Sequence, residues 1–347
     1  MIKGKGAQSN PNNPFLKQGS TQEHIEGIDD FSQEDSRSVE IFYESPKNVL
    51  SRNSSEDISF EYSINPYQGC EHGCIYCYAR NSHAYWGFSA GLDFETKIIV
   101  KQDVAKKFEE RILKPGWKVQ PIMISGNTDC YQPLEKKYGL TRQILQVALK
   151  YRHPLSIITK NDLILRDADL LTELASHALV HVCFSITSLD EKLRMKLEPR
   201  TATYDKKLKA IRYLSERGVP VSVMNAPIIP GLNDHDIPKV LQSTSEAGAL
   251  DINYTVVRLN GQIGDLFTEW IEAAYPDKAS KVLNQISELH GGKVNDSEWG
   301  QRMRGKGQYA LVIDELFQKS KSRFFQDKKM PPYNLGAFRR GGNYSLF

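Results

Sequence analysis

Apolar residues fall along this chain in short runs, separated by longer amphipathic stretches. Phe60, Tyr62 and Ile64 alternate with polar neighbours, the period of a strand with one covered face. Residues 121–125, 155–159, 180–186, 219–224 and 251–257 are further short apolar runs, each the length of a buried strand. Between them the period changes. Leu140, Ile144, Leu145, Ala148 and Leu149 share one helical face over residues 140–151, and residues 167–177, 205–217 and 234–247 read as helices, the last two stopped by Gly218 and Gly248. This alternation predicts βα units, a parallel sheet and right-handed crossovers. About six such units fit between residues 60 and 260, short of the eight that close a TIM barrel. The expected fold is α/β, an open, partial (β/α)6 TIM-like barrel with its site at the carboxyl ends of the strands.

The flanks are different. Residues 1–50 are polar, with Gly4, Gly6, Pro11 and Pro14, and read as a flexible, mostly disordered N-terminal arm. Residues 55–260 hold the barrel. Residues 261–347 form a C-terminal extension: helical patterns over 264–274 and 276–290, a glycine-rich basic stretch over 291–307, a weak alternation over 309–323, and an irregular end containing Pro331 and Pro332.

Composition adds bounds. Apolar residues make up 40% and charged residues 25% of 347, and the formal net charge of +3 neither demands nor excludes nucleic acid. No run approaches the roughly 18 apolar residues of a membrane span, and no apolar leader opens the chain. A cytoplasmic, reducing location is expected. An odd count of five cysteines argues against a disulfide framework.

Three of those cysteines, Cys70, Cys74 and Cys77, stand in one short segment with the spacing C-x3-C-x2-C, just after the first expected barrel strand. Three thiolates on a four-iron cluster leave one iron open to bind and activate a small chelate. Zinc is the rival reading. It takes four tetrahedral ligands, most often from paired C-x2-C units, and here a fourth would have to come from His72 or His83. A bacterial ferredoxin run has a different spacing.

Polar residues recur where the later strands end. Asn127 and Asp129 follow the second major run, in a turn where Thr128 or Asp129 also suits a helix cap. Lys160 ends the third and offers a point charge for a carboxylate, or a solvated ammonium. Ser185 and Thr187 end the fourth. Glu198-Pro199-Arg200 offers a guanidinium for bidentate carboxylate binding, or a surface ion pair. Pro227, Ile229, Pro230, Gly231 and Asn233 shape a rigid loop ending at Asp234, which suits both a planar ring and a helix cap.

With these motifs together, the chain resembles the spore photoproduct lyase-like branch of the radical S-adenosylmethionine (radical SAM) superfamily over residues 55–325. The motifs are the cysteine loop, Asn127-Thr128-Asp129, Ile158-Thr159-Lys160, residues 185–190, Glu198-Pro199-Arg200, residues 227–234, residues 292–296, Gly300-Gln301-Arg302-Met303 and Gly305-Lys306-Gly307. The resemblance implies a barrel of the radical SAM type, with Cys70, Cys74 and Cys77 ligating a [4Fe-4S] cluster and S-adenosylmethionine as second cofactor. It implies Asn127, Asp129, Lys160, Ser185 and Arg200 on the cofactor side, and Ile229, Gly231 and Asp234 on the adenine side. In the adenine motif, usually written GxIxGxxE, Pro227 replaces the first glycine and Asp234 the glutamate. Cys130 is the candidate for a thiol that returns a hydrogen atom, three or four residues from where the family carries one. The implied partners are an external one-electron donor of flavodoxin or ferredoxin type and a substrate that includes nucleic acid among its options, with no membrane. The contrasting expectation is a non-catalytic iron-sulfur or zinc-binding sensor, which has no need of polar groups at successive strand ends.

Overall fold

The computed structural model describes residues 2–15, 39–295 and 298–341. The sequence-based readings for residues 16–38, 296–297 and 342–347 lie outside the described residues. Among the described residues ten strands form two sheets: β1 (Glu40–Glu44), β2 (Leu50–Arg52), β3 (Tyr62–Ile64), β4 (Tyr67–Gln68), β5 (Lys97–Lys101), β6 (Ile122–Ile124), β7 (Leu155–Thr159), β8 (Val180–Ser185), β9 (Val221–Ile228) and β10 (Asp251–Val256).

The larger sheet has the order β10-β9-β8-β7-β6-β3-β2. Every pairing from β3 through β10 is parallel, and only the edge strand β2 runs antiparallel. These are the six parallel strands that the apolar runs predict, and the sheet is the open α/β barrel expected. Its strands carry Ile64, Ile122, Ile124, Leu155, Ile157, Val180, Val182, Phe184, Val221, Val223 and Ile252 into one core, each at most 1% exposed. β-branched side chains fit a pleated surface covered on both faces. The crossover helices Leu140–Tyr151, Ala168–Ser176, Tyr204–Ser215 and Ile237–Glu246 cover the sheet. Asn161 and Asp190 cap the helical segments that follow β7 and β8, and Thr203 caps the helix Tyr204–Ser215, by accepting bonds from Leu163, Lys192 and Lys206 backbone N–H groups.

The structure adds elements that the pattern missed. β1, β5 and β4 make a second, three-stranded sheet beside the cysteine loop, followed by the helix Val104–Ile112. Residues 309–323, whose alternation is too weak to read, lie in a nineteen-residue helix, Gly307–Phe325, packed against Ile237–Glu246. The described part of the N-terminal arm does not hang free. Ala7 is 0% exposed, and residues 5–7 lie on the cysteine loop. Among the described residues no helix is long and apolar enough to cross a membrane.

Candidate active site at the cysteine loop

The site is built where the six parallel strands end. The loop after β3 brings Cys70, Cys74 and Cys77. Its shape rests on backbone bonds: Cys70 N donates to Phe94 O at 2.8 Å, Ile75 N to Leu197 O at 3.1 Å, and Cys77 N to Cys74 O at 3.3 Å. Gly73, at φ 69°, leaves room on its outer face for Gly6; a Cβ on Gly6 would stand 1.7 Å from the Gly73 carbonyl oxygen.

All three cysteines are free, with Cys70 and Cys74 buried and Cys77 half-buried. Burial pushes the Cys70 thiol well up, and the nearby charges of Asp129, Cys74 and Cys77 add to this. Burial likewise raises Cys74, with Glu198 adding and Lys160 opposing. The three sulfurs therefore lie within electrostatic reach of one another, and a bound cation is what would hold them as thiolates. Among the described residues no group of three or more His, Cys, Asp or Glu side chains is already drawn together as a metal site. The donor set, three unpaired thiols on one loop, fits an iron-sulfur cluster. Of the two histidines considered as a fourth zinc ligand, His72 is engaged elsewhere. His72 faces Asp129 Oδ2 at 3.4 Å through Nδ1 and Asn161 Nδ2 at 3.1 Å through Nε2. His83 is buried against the rings of Phe88 and Phe94, and burial lowers its pKa to about 4.

The loop after β6 supplies Asn127 and Asp129 as braces. Asn127 Nδ2 donates to Gln68 Oε1 at 3.1 Å and Ser82 Oγ at 3.2 Å, and its N–H to Asn65 Oδ1 at 2.8 Å. Asp129 accepts from Thr159 Oγ1 at 2.8 Å, Lys160 N at 2.7 Å and Tyr131 N at 2.9 Å. Burial opposes its charge, but His72 and the backbone donors outweigh that and hold its pKa down to about 2.

Lys160 and Ser185, at the ends of β7 and β8, meet: Lys160 Nζ donates to Ser185 Oγ at 2.8 Å. Burial works against the ammonium, yet Cys74, Glu198 and Asp129 raise its pKa overall. Arg200 turns to the cysteine loop. Its Nη2 lies 2.9 Å from Glu71 Oε1, and its N–H donates to His72 O at 3.2 Å. The ion pair expected as a surface alternative thus forms with Glu71 of the loop rather than with Glu198.

Glu198 has a larger role than its motif suggested. It is 1% exposed and pairs with Lys207, 2% exposed, at 3.2 Å. It also accepts from Tyr76 OH at 2.5 Å, and Thr187 Oγ1 lies 3.1 Å away. Lys207 and Lys160 outweigh the cost of burial and hold the Glu198 carboxyl below its usual range. Tyr76, between two of the cysteines, is thereby fixed from beneath. A lysine on the buried face of residues 205–217 was the available signal.

The loop after β9 divides. Ile229 is buried in the apolar cluster that includes Ile75 of the cysteine loop. Asn233 locks the turn: Nδ2 donates to Thr187 O at 2.7 Å and Pro227 O at 3.0 Å, and Oδ1 accepts from Ile229 N at 2.6 Å. Gly231 and Asp234 instead face the C-terminal helices. A Cβ on Gly231 would meet Gln285 Oε1 at 2.8 Å, and Asp234 accepts a bond from Tyr309 OH. Cys130 is 0% exposed in the main core, and burial pushes its thiol well up. That position offers a thiol relay no access to a substrate.

Comparison with known proteins agrees with this architecture. The family model of the radical SAM superfamily matches residues 64–244. An uncharacterised protein of Mycobacterium tuberculosis is 33% identical over 226 residues, 65% of this chain and 66% of its own length. The match thus spans just under two thirds of that relative. An uncharacterised protein of Methanocaldococcus jannaschii is 30% identical over 227 residues, 81% of its length. Among solved structures, spore photoproduct lyase complexed with dinucleoside spore photoproduct superposes with a TM-score of 0.60 at 17% identity, covering 82% of this chain and 79% of that one. The chain belongs to the radical SAM superfamily and has the fold of spore photoproduct lyase.

Proposed function

We propose that this chain is a radical SAM enzyme in which Cys70, Cys74 and Cys77 hold a [4Fe-4S] cluster beside bound S-adenosylmethionine. When bound, this pair would supply the reductive cleavage of the sulfonium that yields a 5′-deoxyadenosyl radical for hydrogen abstraction from a substrate. The observation that carries the reading is the set of three free thiols on one loop at the carboxyl end of a six-stranded parallel sheet. The chain's own residues divide the work. Lys160, steadied by Ser185, presents an ammonium to the cofactor carboxylate. Ile229 gives apolar cover on the adenine side. Asn127 and Asp129 brace the strand-end loops, and Asp234 with Gly231 sets the adenine-side loop against the C-terminal helices. Arg200 supports the cysteine loop through Glu71. The electron comes from an external carrier of flavodoxin or ferredoxin type.

The test is anaerobic reconstitution with iron and sulfide, dithionite reduction with S-adenosylmethionine, and chromatography for 5′-deoxyadenosine. Formation by the native chain and loss in Cys74→Ala is the expected result. A zinc-loaded protein that takes no cluster overturns the reading in favour of a binding protein.

For the substrate, a nucleic-acid strand is the reading that one observation favours. The segment after the cysteine loop exposes Tyr78, Tyr85 and Trp86, and Phe15 stacks on Tyr85 with ring centroids 4.9 Å apart. Exposed rings of this kind stack bases without reading sequence. Spore photoproduct lyase, which shares the fold, has been solved with a dinucleoside photoproduct. Binding to single-stranded DNA should weaken steeply with salt; absent or salt-independent binding removes this substrate class.

A further inference from the structure

The N-terminal segment carries a buried charge that the rest of the described chain does not balance. Lys5 is 5% exposed, and its Nζ has no hydrogen-bond partner among the described residues. It lies on the outer face of the cysteine loop. The neighbouring Gly6 rests against the Gly73 carbonyl, and the Gly6 and Ala7 N–H groups donate to Glu95 at 3.1 and 2.8 Å. The charged groups around Lys5 are Glu95, Arg200 and Glu71.

Each carboxylate already pairs with an arginine. Glu95 is paired at 2.5 Å with Arg80, both 0% exposed, and Arg80 in turn holds Cys74 O at 2.9 Å and Gly91 O at 2.9 Å. Glu71 is paired with Arg200, and its second oxygen is buried without a hydrogen-bond partner among the described residues. Three cations, Lys5, Arg80 and Arg200, therefore surround two carboxylates. An isolated buried ammonium is costly unless something negative lies within reach. Burial indeed pulls the Lys5 pKa down, with Glu95 opposing.

We infer that the missing counter-charge is the loaded cysteine loop itself, and that Lys5 is a positioning residue which raises the reduction potential of the cluster held by Cys70, Cys74 and Cys77. This rests on the proposed cluster. Iron-sulfur potentials follow net charge, hydrogen bonding to sulfur and exposure, and a reduced cluster carries one more negative charge than an oxidised one. A buried cation behind the loop stabilises the reduced form. Through an effective dielectric of about 20, a unit charge at a separation of roughly 12 Å changes such an equilibrium by about tenfold, which for one electron is about 59 mV. The arm then does more than cover the outer side of the loop, because it brings this charge with it.

The experiment is a redox titration of the reconstituted full-length chain, followed by electron paramagnetic resonance at matched iron content. Lys5→Met should shift the midpoint potential negative by about 59 mV, Lys5→Arg should stay near the native value, and Lys3→Met, on the exposed residue two positions away, should leave it unchanged. An unchanged potential in Lys5→Met at full cluster occupancy overturns the inference, as does an equal shift in Lys3→Met, which would mark general surface charge. A Lys5→Met chain that fails to retain a cluster while Lys5→Arg retains it still supports the charge; failure of both points to shape and overturns it. If the native chain takes no cluster, the proposed function falls first and this inference with it.

Discussion

The loop after β3 and the loop after β9 stand at the same end of one sheet, but different forces hold them. The cysteine loop is set among charged groups, most of them buried: Arg80 with Glu95, Asp129 beside His72, Arg200 with Glu71, and Glu198 with Lys207 at the Tyr76 hydroxyl. The 227–234 loop is held by neutral groups: the amide of Asn233, the carbonyls of Thr187 and Pro227, and the apolar cover of Ile229. Buried ion pairs are poor sources of net stability, because desolvation offsets most of their attraction. Their concentration around three thiols fits the proposed cluster. A charged centre gains from fixed charges and oriented carbonyls; a flat, uncharged ring gains from backbone groups and apolar cover.

The sharpest way to break this contrast is to remove one partner of a buried pair. Glu198→Ala leaves Lys207 buried and unpaired and frees Tyr76. The expected loss is about 3–5 kcal/mol of unfolding free energy, measured by denaturant unfolding. Glu198→Gln should lose nearly as much, since charge rather than shape is at stake. A loss below about 1 kcal/mol would mean that water already screens the pair.

A smaller effect, set by pH, separates the loops further. The Asp129 pKa is lowered from 3.8 to about 2, so its contribution is complete above the unfolded value and is lost as pH falls through the folded one. Stability should decline by about 2 kcal/mol on this account between pH 4 and pH 2. Asp129→Asn should flatten that part of the curve. An unchanged acid slope in the variant would place the loss on other carboxylates.

Much of the scaffold behind this contrast was written in the pattern of apolar residues. The run 155–159 is the strand Leu155–Thr159, and 251–257 differs from Asp251–Val256 by one residue. Alternate residues of these strands are buried, so periodicity and burial agree. The helix Gly307–Phe325 was obscure because Leu311 and Val312 are exposed, 65% and 50%, beside the buried Ile313, which blurs its inward stripe of Ala310, Ile313, Phe317 and Ser320. β5 was lost for another reason: its three buried residues, Ile98, Ile99 and Val100, are too few to show a period. In the site, residues whose chemistry is local were legible. Cys70, Cys74 and Cys77 show themselves by spacing, and Lys160 and Ser185 by ending strands. Partners far apart in sequence were not, because nothing local in Lys207 announces Glu198, and nothing in Gly6 announces Gly73.

The smallest expected effect tests the neutral loop from its outer side. Asp234 stands where the family motif has glutamate, and its carboxylate accepts a bond from Tyr309 OH on the helix Gly307–Phe325. If the 227–234 loop is held by Asn233 and apolar packing, this bond is an accessory tie to the C-terminal extension. Tyr309→Phe should then cost only about 1 kcal/mol of unfolding free energy and leave 5′-deoxyadenosine formation nearly unchanged. Asn233→Ala removes three bonds at once and should cost more in both measurements. A Tyr309→Phe chain that loses its affinity for S-adenosylmethionine, read by equilibrium dialysis, would reverse the ranking. The adenine side would then depend on a tie to the extension, and the two loops would differ less than their inner faces indicate.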